Sequence, residues 1–210
     1  DEALFAFEGL QNLMKKENID IKYLYSLEYA GFNTFTPMYV AIKKGIPLVD
    51  TDGNGKAIPS FKISLYTIKG GVSYPIVMSN DKGDLTVGYP KDPMDFEASD
   101  LMIKQMGAAY GMKLGVSTAL IDKEGIKRKT IPGAMSYAKK VGKSIIKAKQ
   151  KNIDFIENLK DQIEIKEVCR GKVIDLIKDS KNFFNIGTVI IENETDGKKY
   201  FVDYNNENLV

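Results

Sequence analysis

IPLVDTDGNGKAIPS, residues 46–60, is the stretch from which the predicted fold and the candidate site both follow. Its first residues, 46–49, form a short apolar run, which is typical of a strand buried on both faces. Asp50 and Asp52 come where that strand should end. Because ligands of open α/β sheets bind just beyond the carboxyl ends of the strands, these two carboxylates predict a functional site there.

The two aspartates lead into a glycine-rich turn. Gly53 and Gly55 bracket an asparagine, and this pattern favours a turn in which the backbone adopts positive φ. Two interpretations stay open. In one, the carboxylates bind a cation, act as acid and base, or hold a polar ring; in the other, they only accept hydrogen bonds from backbone N–H groups of the loop. A calcium loop is disfavoured because Phe61 stands where its closing glutamate belongs.

The residues before this turn predict a strand–helix–strand unit. We predict a strand at residues 21–27, a loop at 28–33, a helix at 37–44 that ends at Gly45, and a second strand at 46–49. Short connections on both sides of the helix argue for two parallel strands joined by a right-handed crossover.

The pattern of predicted secondary structure changes near residue 160. Helical and strand-like segments alternate before it, whereas short strand-like segments separated by turn residues follow it. The other predicted helices are residues 2–17, 92–107 and 133–151, and the other predicted strands are 61–68, 74–78, 85–89, 114–121, 163–169, 172–177, 186–192 and 199–203. The fold class is therefore α/β. We predict a layered α/β domain with a partly parallel sheet at residues 1–160 and a small β-rich, barrel-like domain at 161–210.

Two features of the composition narrow the chemistry. The chain has no histidine, and Cys169 is its only cysteine. These absences exclude Ser-His-Asp and Cys-His catalysis and histidine-ligated zinc within this chain. No metal site is assigned and the cofactor is unknown; if one binds, we expect a hard divalent cation held by carboxylate oxygens.

Net charge and hydropathy indicate which classes of partner this chain can bind. The net charge is +2, and the lysine-rich helix at residues 133–151 is interpreted as a solvated face, so no nucleic acid partner is expected. No apolar run approaches the roughly 20 residues that cross a membrane, so no membrane partner is expected. A single cysteine forms no intrachain disulfide, which favours a cytoplasmic location.

The motifs of this chain resemble those of the S-methyl-thiohydantoin desulfurase family, a former domain-of-unknown-function family related to hydantoinases and oxoprolinases. The matching single positions are Glu28, Gly31, Asn33, Pro47, Asp50, Asp52, Gly53, Gly55, Ala57, Pro59, Glu97, Met106, Gly107, Pro132, Gly133, Ser136 and Gly142. The matching tripeptides and tetrapeptide are GKV at 171–173, GTV at 187–189 and NENL at 206–209. Members of that family are longer at both ends, so we expect a divergent, truncated member. The resemblance implies an α/β domain followed by a β-barrel-like domain, and action on hydantoin-like rings.

Three positions depart from the family pattern. Lys56 and Leu101 stand where the pattern has arginine, and Ser60 stands where it has glutamate. These changes remove two guanidinium groups and one carboxylate, which are groups suited to anchoring a substrate and to acid–base chemistry.

Two functions from different classes stay open. The first is a hydrolase that acts on a small hydantoin-like cyclic amide or thioamide; its candidate catalytic residues are Asp50, Asp52 and Glu28, and its candidate substrate-binding residues are Asn33, Gly53, Gly55 and Lys56. The alternative is a non-catalytic ligand-binding or assembly subunit that keeps the fold. In both, we expect a small-molecule ligand, and either a homo-oligomer or a hydantoinase-type partner subunit.

Overall fold

The computed structural model describes residues 1–160, 162–181, 184–205 and 207–208. The chain packs into two compact units, Asp1–Met135 and Ser136–Val210, each with its own secondary structure. The α/β fold class is confirmed. The domain boundary predicted at residue 160, where the pattern of predicted secondary structure changes, stays a prediction.

Helices and strands alternate along most of the chain. The α-helices are α1 Glu2–Lys16, α2 Gly31–Lys44, α3 Leu65–Ile68, α4 Phe96–Ala109, α5 Lys123–Lys129, α6 Ala134–Lys151 and α7 Phe155–Lys160. The strands are β1 Leu24–Ser26, β2 Leu48–Asp52, β3 Ile76–Ser79, β4 Leu85–Gly88, β5 Gly115–Ser117, β6 Ile131–Pro132, β7 Gly171–Lys181, β8 Phe184–Asn193, β9 Lys199–Asn205 and β10 Glu207–Asn208.

The sheet that carries the candidate site has the strand order β1-β2-β6. β1 and β2 are parallel, with Leu24 opposite Leu48 and Ser26 opposite Asp52, as the strand–helix–strand pattern predicts. β6 pairs with β2 in the antiparallel direction. The sheet is therefore partly parallel, and the carboxyl ends of β1 and β2 lie at one edge.

The helix between these strands starts earlier than predicted. It begins at Gly31 and passes through Pro37, which we had expected in its first turn. A proline inside a helix leaves the carbonyl four residues earlier without its usual N–H donor. That carbonyl belongs to Asn33, and the Ser26 hydroxyl lies 2.9 Å from it and 2.6 Å from the Glu28 carbonyl oxygen, so its one proton is shared between them. A contact with the preceding strand therefore compensates in part for the donor that Pro37 lacks.

Residues 61–68 do not form the predicted strand. They form a 3-10 helix at Phe61–Ile63 and the short helix α3. Two serine hydroxyls initiate these turns, since Ser60 accepts a hydrogen bond from the Lys62 N–H and Ser64 accepts one from the Thr67 N–H. Local hydrogen bonding of this kind competes with strand formation and outweighs the apolar alternation here.

A second sheet in the first unit has the strand order β4-β3-β5. The strands predicted at 74–78 and 85–89 are confirmed as the antiparallel hairpin of β3 and β4. Every residue of β3 is buried, and Leu10 and Met14 of α1 pack on Val77 to form one core cluster. The glycine-rich turn belongs to the other sheet, so the candidate site lies away from this cluster.

The second unit contains an antiparallel sheet with the strand order β10-β9-β8-β7. It confirms the predicted strands near 172–177, 186–192 and 199–203, whereas residues 163–169 form no strand. β7 continues through Lys181, so the turn predicted there is wrong, and residue 182 lies outside the described part of the chain. A closed barrel stays a prediction.

Candidate functional site

The glycine-rich turn lies at the carboxyl end of β2, beside the segment that leaves β1. Asp52 is its centre. This side chain is 1% exposed, and its two oxygens accept hydrogen bonds from the N–H groups of Asn54 at 3.0 Å and Gly55 at 2.8 Å. The backbone of Tyr29, in the loop after β1, is near enough to lower the pKa of this carboxyl. Asp52 therefore holds the glycine-rich turn through the N–H groups of Asn54 and Gly55.

Burial controls the ionisation of this carboxyl. It raises the pKa of Asp52 above its ordinary value, and the hydrogen bonds from the backbone N–H groups of Asn54 and Gly55, together with the backbone of Tyr29, offset part of that rise. A carboxyl with a raised pKa in this position can exchange a proton more readily near neutral pH than an exposed one can.

The two glycines of the turn serve different purposes. Gly55 adopts a φ of 86°, as expected from the pattern. At Gly53 the constraint is space, because a Cβ atom there would lie 2.5 Å from the carbonyl oxygen of Leu27. The first glycine therefore allows β1 and the turn to approach closely, and the second allows the chain to reverse.

Glu28 connects the turn to helix α2. One carboxylate oxygen accepts a hydrogen bond from Asn33 Nδ2 at 2.6 Å, and the other accepts one from the Ile58 N–H at 2.9 Å. Both bonds hold neighbouring chain segments in place. Two predicted site residues, Glu28 and Asn33, thus meet directly.

Asp50 lies two residues before Asp52 and has a different partner. Its Oδ1 accepts a hydrogen bond from the Met135 N–H at 2.8 Å, and its carbonyl oxygen accepts one from the Gly133 N–H at 2.9 Å. The carboxylate therefore lies at the first turn of helix α6, where the helix dipole favours negative charge. Asp50 and Asp52 therefore have different partners although they lie two residues apart.

Tyr29 belongs to this site although sequence analysis did not identify it. Its hydroxyl is buried and has no hydrogen-bond partner among the described residues. Burial raises the pKa of Tyr29 to about 12, and the negative charges of Asp50 and Asp52 contribute to the rise, while the Thr51 backbone opposes it. The only signal in the sequence is its place directly after Glu28 in the motif.

The remaining predicted residue, Lys56, is exposed, and its carbonyl oxygen accepts a hydrogen bond from Asn54 Nδ2 at 2.7 Å. Its role as a substrate-binding residue stays a prediction. The other departures from the family pattern have their own surroundings. The Ser60 hydroxyl donates to the Asp100 carboxylate, and Leu101 is 58% exposed.

The described residues contain neither a metal-binding cluster nor a membrane-spanning helix. No group of three or more histidine, cysteine, aspartate or glutamate side chains there is arranged to hold a metal ion. In the same part of the chain, every helix is too short or too polar to cross a bilayer. The cofactor, cellular location and partners expected from composition stay predictions.

Comparison with known proteins identifies the relatives. The profile described as S-Me-THD-like, N-terminal domain, matches residues 1–88, and the one described as S-Me-THD-like, C-terminal domain, matches residues 94–210. No curated protein matches the chain. A crystal structure of a protein from Chromobacterium violaceum superposes with a TM-score of 0.75 at 18% identity, covering 99% of this chain and 55% of that one. The chain thus spans about half the length of that protein and shares its fold. Since the two profiles together cover nearly the whole chain, it belongs to the S-Me-THD-like family.

Proposed function

We propose that this protein hydrolyses a small hydantoin-like cyclic amide or thioamide at the carboxyl edge of the β1-β2-β6 sheet. The observation that carries the proposal is the placement of the Tyr29 hydroxyl, which is buried, has no partner among the described residues, and is influenced by the charges of both Asp50 and Asp52. Family membership supports the ring class of the substrate.

The residues take different roles in this proposal. With its pKa raised to about 12, Tyr29 stays protonated at neutral pH, so its hydroxyl donates a hydrogen bond to the ring carbonyl oxygen or thiocarbonyl sulfur. Asp50 takes a proton from the attacking water. The water oxygen bonds to the ring carbon, either a ring C–N bond or the C–S bond breaks, and Asp50 passes the proton to the leaving nitrogen or sulfur. Because the hydroxyl is buried, the proposal requires that the ring gain access to it on binding.

A second function is favoured by a specific observation. Both oxygens of Asp52 and one oxygen of Glu28 accept hydrogen bonds from backbone N–H groups, as loop-supporting carboxylates do. Serine also replaces the glutamate of the family pattern at residue 60. Together these features suit a protein that binds the ring without transforming it.

Calorimetry and product analysis with the same three probes separate the two functions. The probes are hydantoin, 2-thiohydantoin and S-methyl-thiohydantoin. The informative variant is Asp50→Asn, because asparagine keeps an oxygen that accepts from the Met135 N–H while it removes the charge. The matched control is Asp20→Asn, which removes an exposed carboxylate that pairs with Lys22.

The hydrolase is supported if the wild-type protein and the Asp20→Asn variant open or desulfurise a ring and Asp50→Asn binds it without turnover. Binding heat without product in the wild type supports the non-catalytic alternative. Absence of both binding and turnover with all three probes contradicts both functions. Lys56→Met tests the predicted anchor: it should weaken ring binding more than Lys69→Met, a change at another exposed lysine of the first unit.

A further inference from the structure

Helix α2 presents apolar side chains on two sides. Its inner side buries Val40 and Ala41, which are 4% and 7% exposed. On its other side, large apolar side chains face solvent: Phe32 is 89% exposed, Phe35 68%, Tyr39 38% and Ile42 80%. At 100° per residue these four lie within an arc of about 80°, so they form one continuous face. We name this face the outer stripe; apolar surface of this kind marks an interaction site.

We propose that the outer stripe is the contact between two copies of this chain, which pack helix α2 against helix α2 in opposite directions about a two-fold axis near Pro37. The spacing of the stripe carries the argument. Its members are separated by three, four and three residues, and this spacing is the same in both directions along the helix. An antiparallel pair therefore brings Phe32 against Ile42 of the second copy and Phe35 against Tyr39 of the second copy, which is the self-complementarity that a two-fold interface requires.

The charges at the two ends of α2 agree with this arrangement. The basic residues of the helix, Lys43 and Lys44, are in its last turn, and its first turn has no acidic residue. Glu28 lies just before the first turn. Lys44 pairs with Glu8 of its own copy, whereas the Lys43 ammonium lies 5.6 Å from the centre of the Tyr39 ring and so over the stripe. Antiparallel packing opposes the helix dipoles and brings Lys43 of one copy to the first turn of the other helix, which carries no basic residue.

The surface beside the stripe offers room for a protruding ring. A cavity of about 230 Å³ opens there, and it is lined by Asp1, Glu2, Ala3, Phe35, Thr36 and Tyr39. An aromatic side chain of the second copy fits this position in the way that knobs fill holes between packed helices.

Light scattering coupled to gel filtration tests the association. The variants Phe35→Glu and Ile42→Glu place a charge in the stripe, and Ile68→Glu places one at a 73%-exposed position of α3 outside it. We expect the mass of a dimer for the wild type and for Ile68→Glu, and half that mass for both stripe variants. Circular dichroism and thermal melts of the stripe variants are the control for folding, and both should match those of the wild type.

Cysteine pairing tests the direction of the helices. In a background with Cys169→Ser, a mixture of the Phe35→Cys and Tyr39→Cys proteins should form more disulfide-linked dimer than either protein alone. A monomeric wild type up to millimolar concentration, a dimer that survives both glutamate variants, or stronger linkage within Phe35→Cys alone would each overturn the proposal. A monomeric wild type would mean that another molecule covers the stripe.

Discussion

The carboxylates of the glycine-rich turn and the charged cluster around Arg170 follow opposite patterns. Asp52 and Glu28 accept hydrogen bonds from backbone N–H groups, and Asp52 is nearly inaccessible to solvent. In the second unit, Arg170 pairs with the side chains of Asp154 and Glu167, and all three are partly exposed. A carboxylate that satisfies buried N–H groups cannot be removed without leaving them unpaired, whereas members of an exposed ion cluster regain water. The comparison predicts where substitutions cost stability.

The largest effect is expected at Asp52. Asp52→Ala removes the acceptor of two backbone N–H groups, those of Asn54 and Gly55. Leaving a buried donor unsatisfied costs about 1–3 kcal/mol, so the free energy of unfolding should fall by at least about 2 kcal/mol. Urea denaturation measures it. A change as small as that of the exposed Asp20→Ala variant would mean that the turn is not held by this side chain.

The same carboxyl should also have an unusual pH dependence. Its pKa is raised in the folded protein, so the folded state binds more protons than the unfolded state between the ordinary value of 3.8 and the raised value. The contribution of Asp52 to stability is therefore fully present below 3.8 and is lost as the pH rises through the raised pKa. The difference in unfolding free energy between the wild type and Asp52→Asn should favour the wild type more as the pH falls. A difference that moves the other way would show that the backbone hydrogen bonds outweigh burial.

Sequence patterns predicted this architecture where the signals are local. The parallel pair, the hairpin and the strands near 172–177 and 186–192 follow from apolar period and turn residues, and the structure has them. The start of α2 could not be predicted, because it depends on the Ser26 hydroxyl partly replacing a donor that Pro37 lacks. Such a contact between an earlier strand and a helix leaves no periodic trace in the sequence.

The candidate site was predictable to a similar extent. The motif identified Asp50, Asp52 and Glu28, but spacing alone could not show that their carboxylates accept hydrogen bonds from the backbone N–H groups of Gly55, Ile58 and Met135. Tyr29 was missed because a buried hydroxyl without a partner is a property of packing. A residue type that is common in cores carries no sign of whether its polar atom is satisfied.

Tyr29 gives a smaller effect of the opposite sign. Tyr29→Phe removes a buried hydroxyl that has no partner among the described residues, so it should raise the free energy of unfolding by about 1 kcal/mol. If the proposed function holds, the same change weakens binding of 2-thiohydantoin, because the ring loses its donor. Tyr66→Phe is a matched control, since the Tyr66 hydroxyl donates to the Val72 carbonyl at 2.9 Å and its loss should destabilise the fold. Equal destabilisation by both variants would show that the Tyr29 hydroxyl has a stabilising partner.

The smallest change in stability is expected on substitution of Arg170. A large change there would contradict the comparison between the buried turn and the exposed charged cluster. Arg170→Met keeps an unbranched side chain while it removes the pairing with Asp154 and Glu167. These carboxylates raise the pKa of the guanidinium, but that shift does not convert into stability because the group is open to solvent and its charge is screened. Thermal melts of Arg170→Met should overlay those of the wild type, and raising the salt concentration should remove any remaining difference. The loss at Asp52→Ala should persist in high salt, since it comes from unpaired N–H groups. If Arg170→Met proved as costly as Asp52→Ala, exposure would not distinguish the two groups, and the charged cluster would be a structural element of the second unit.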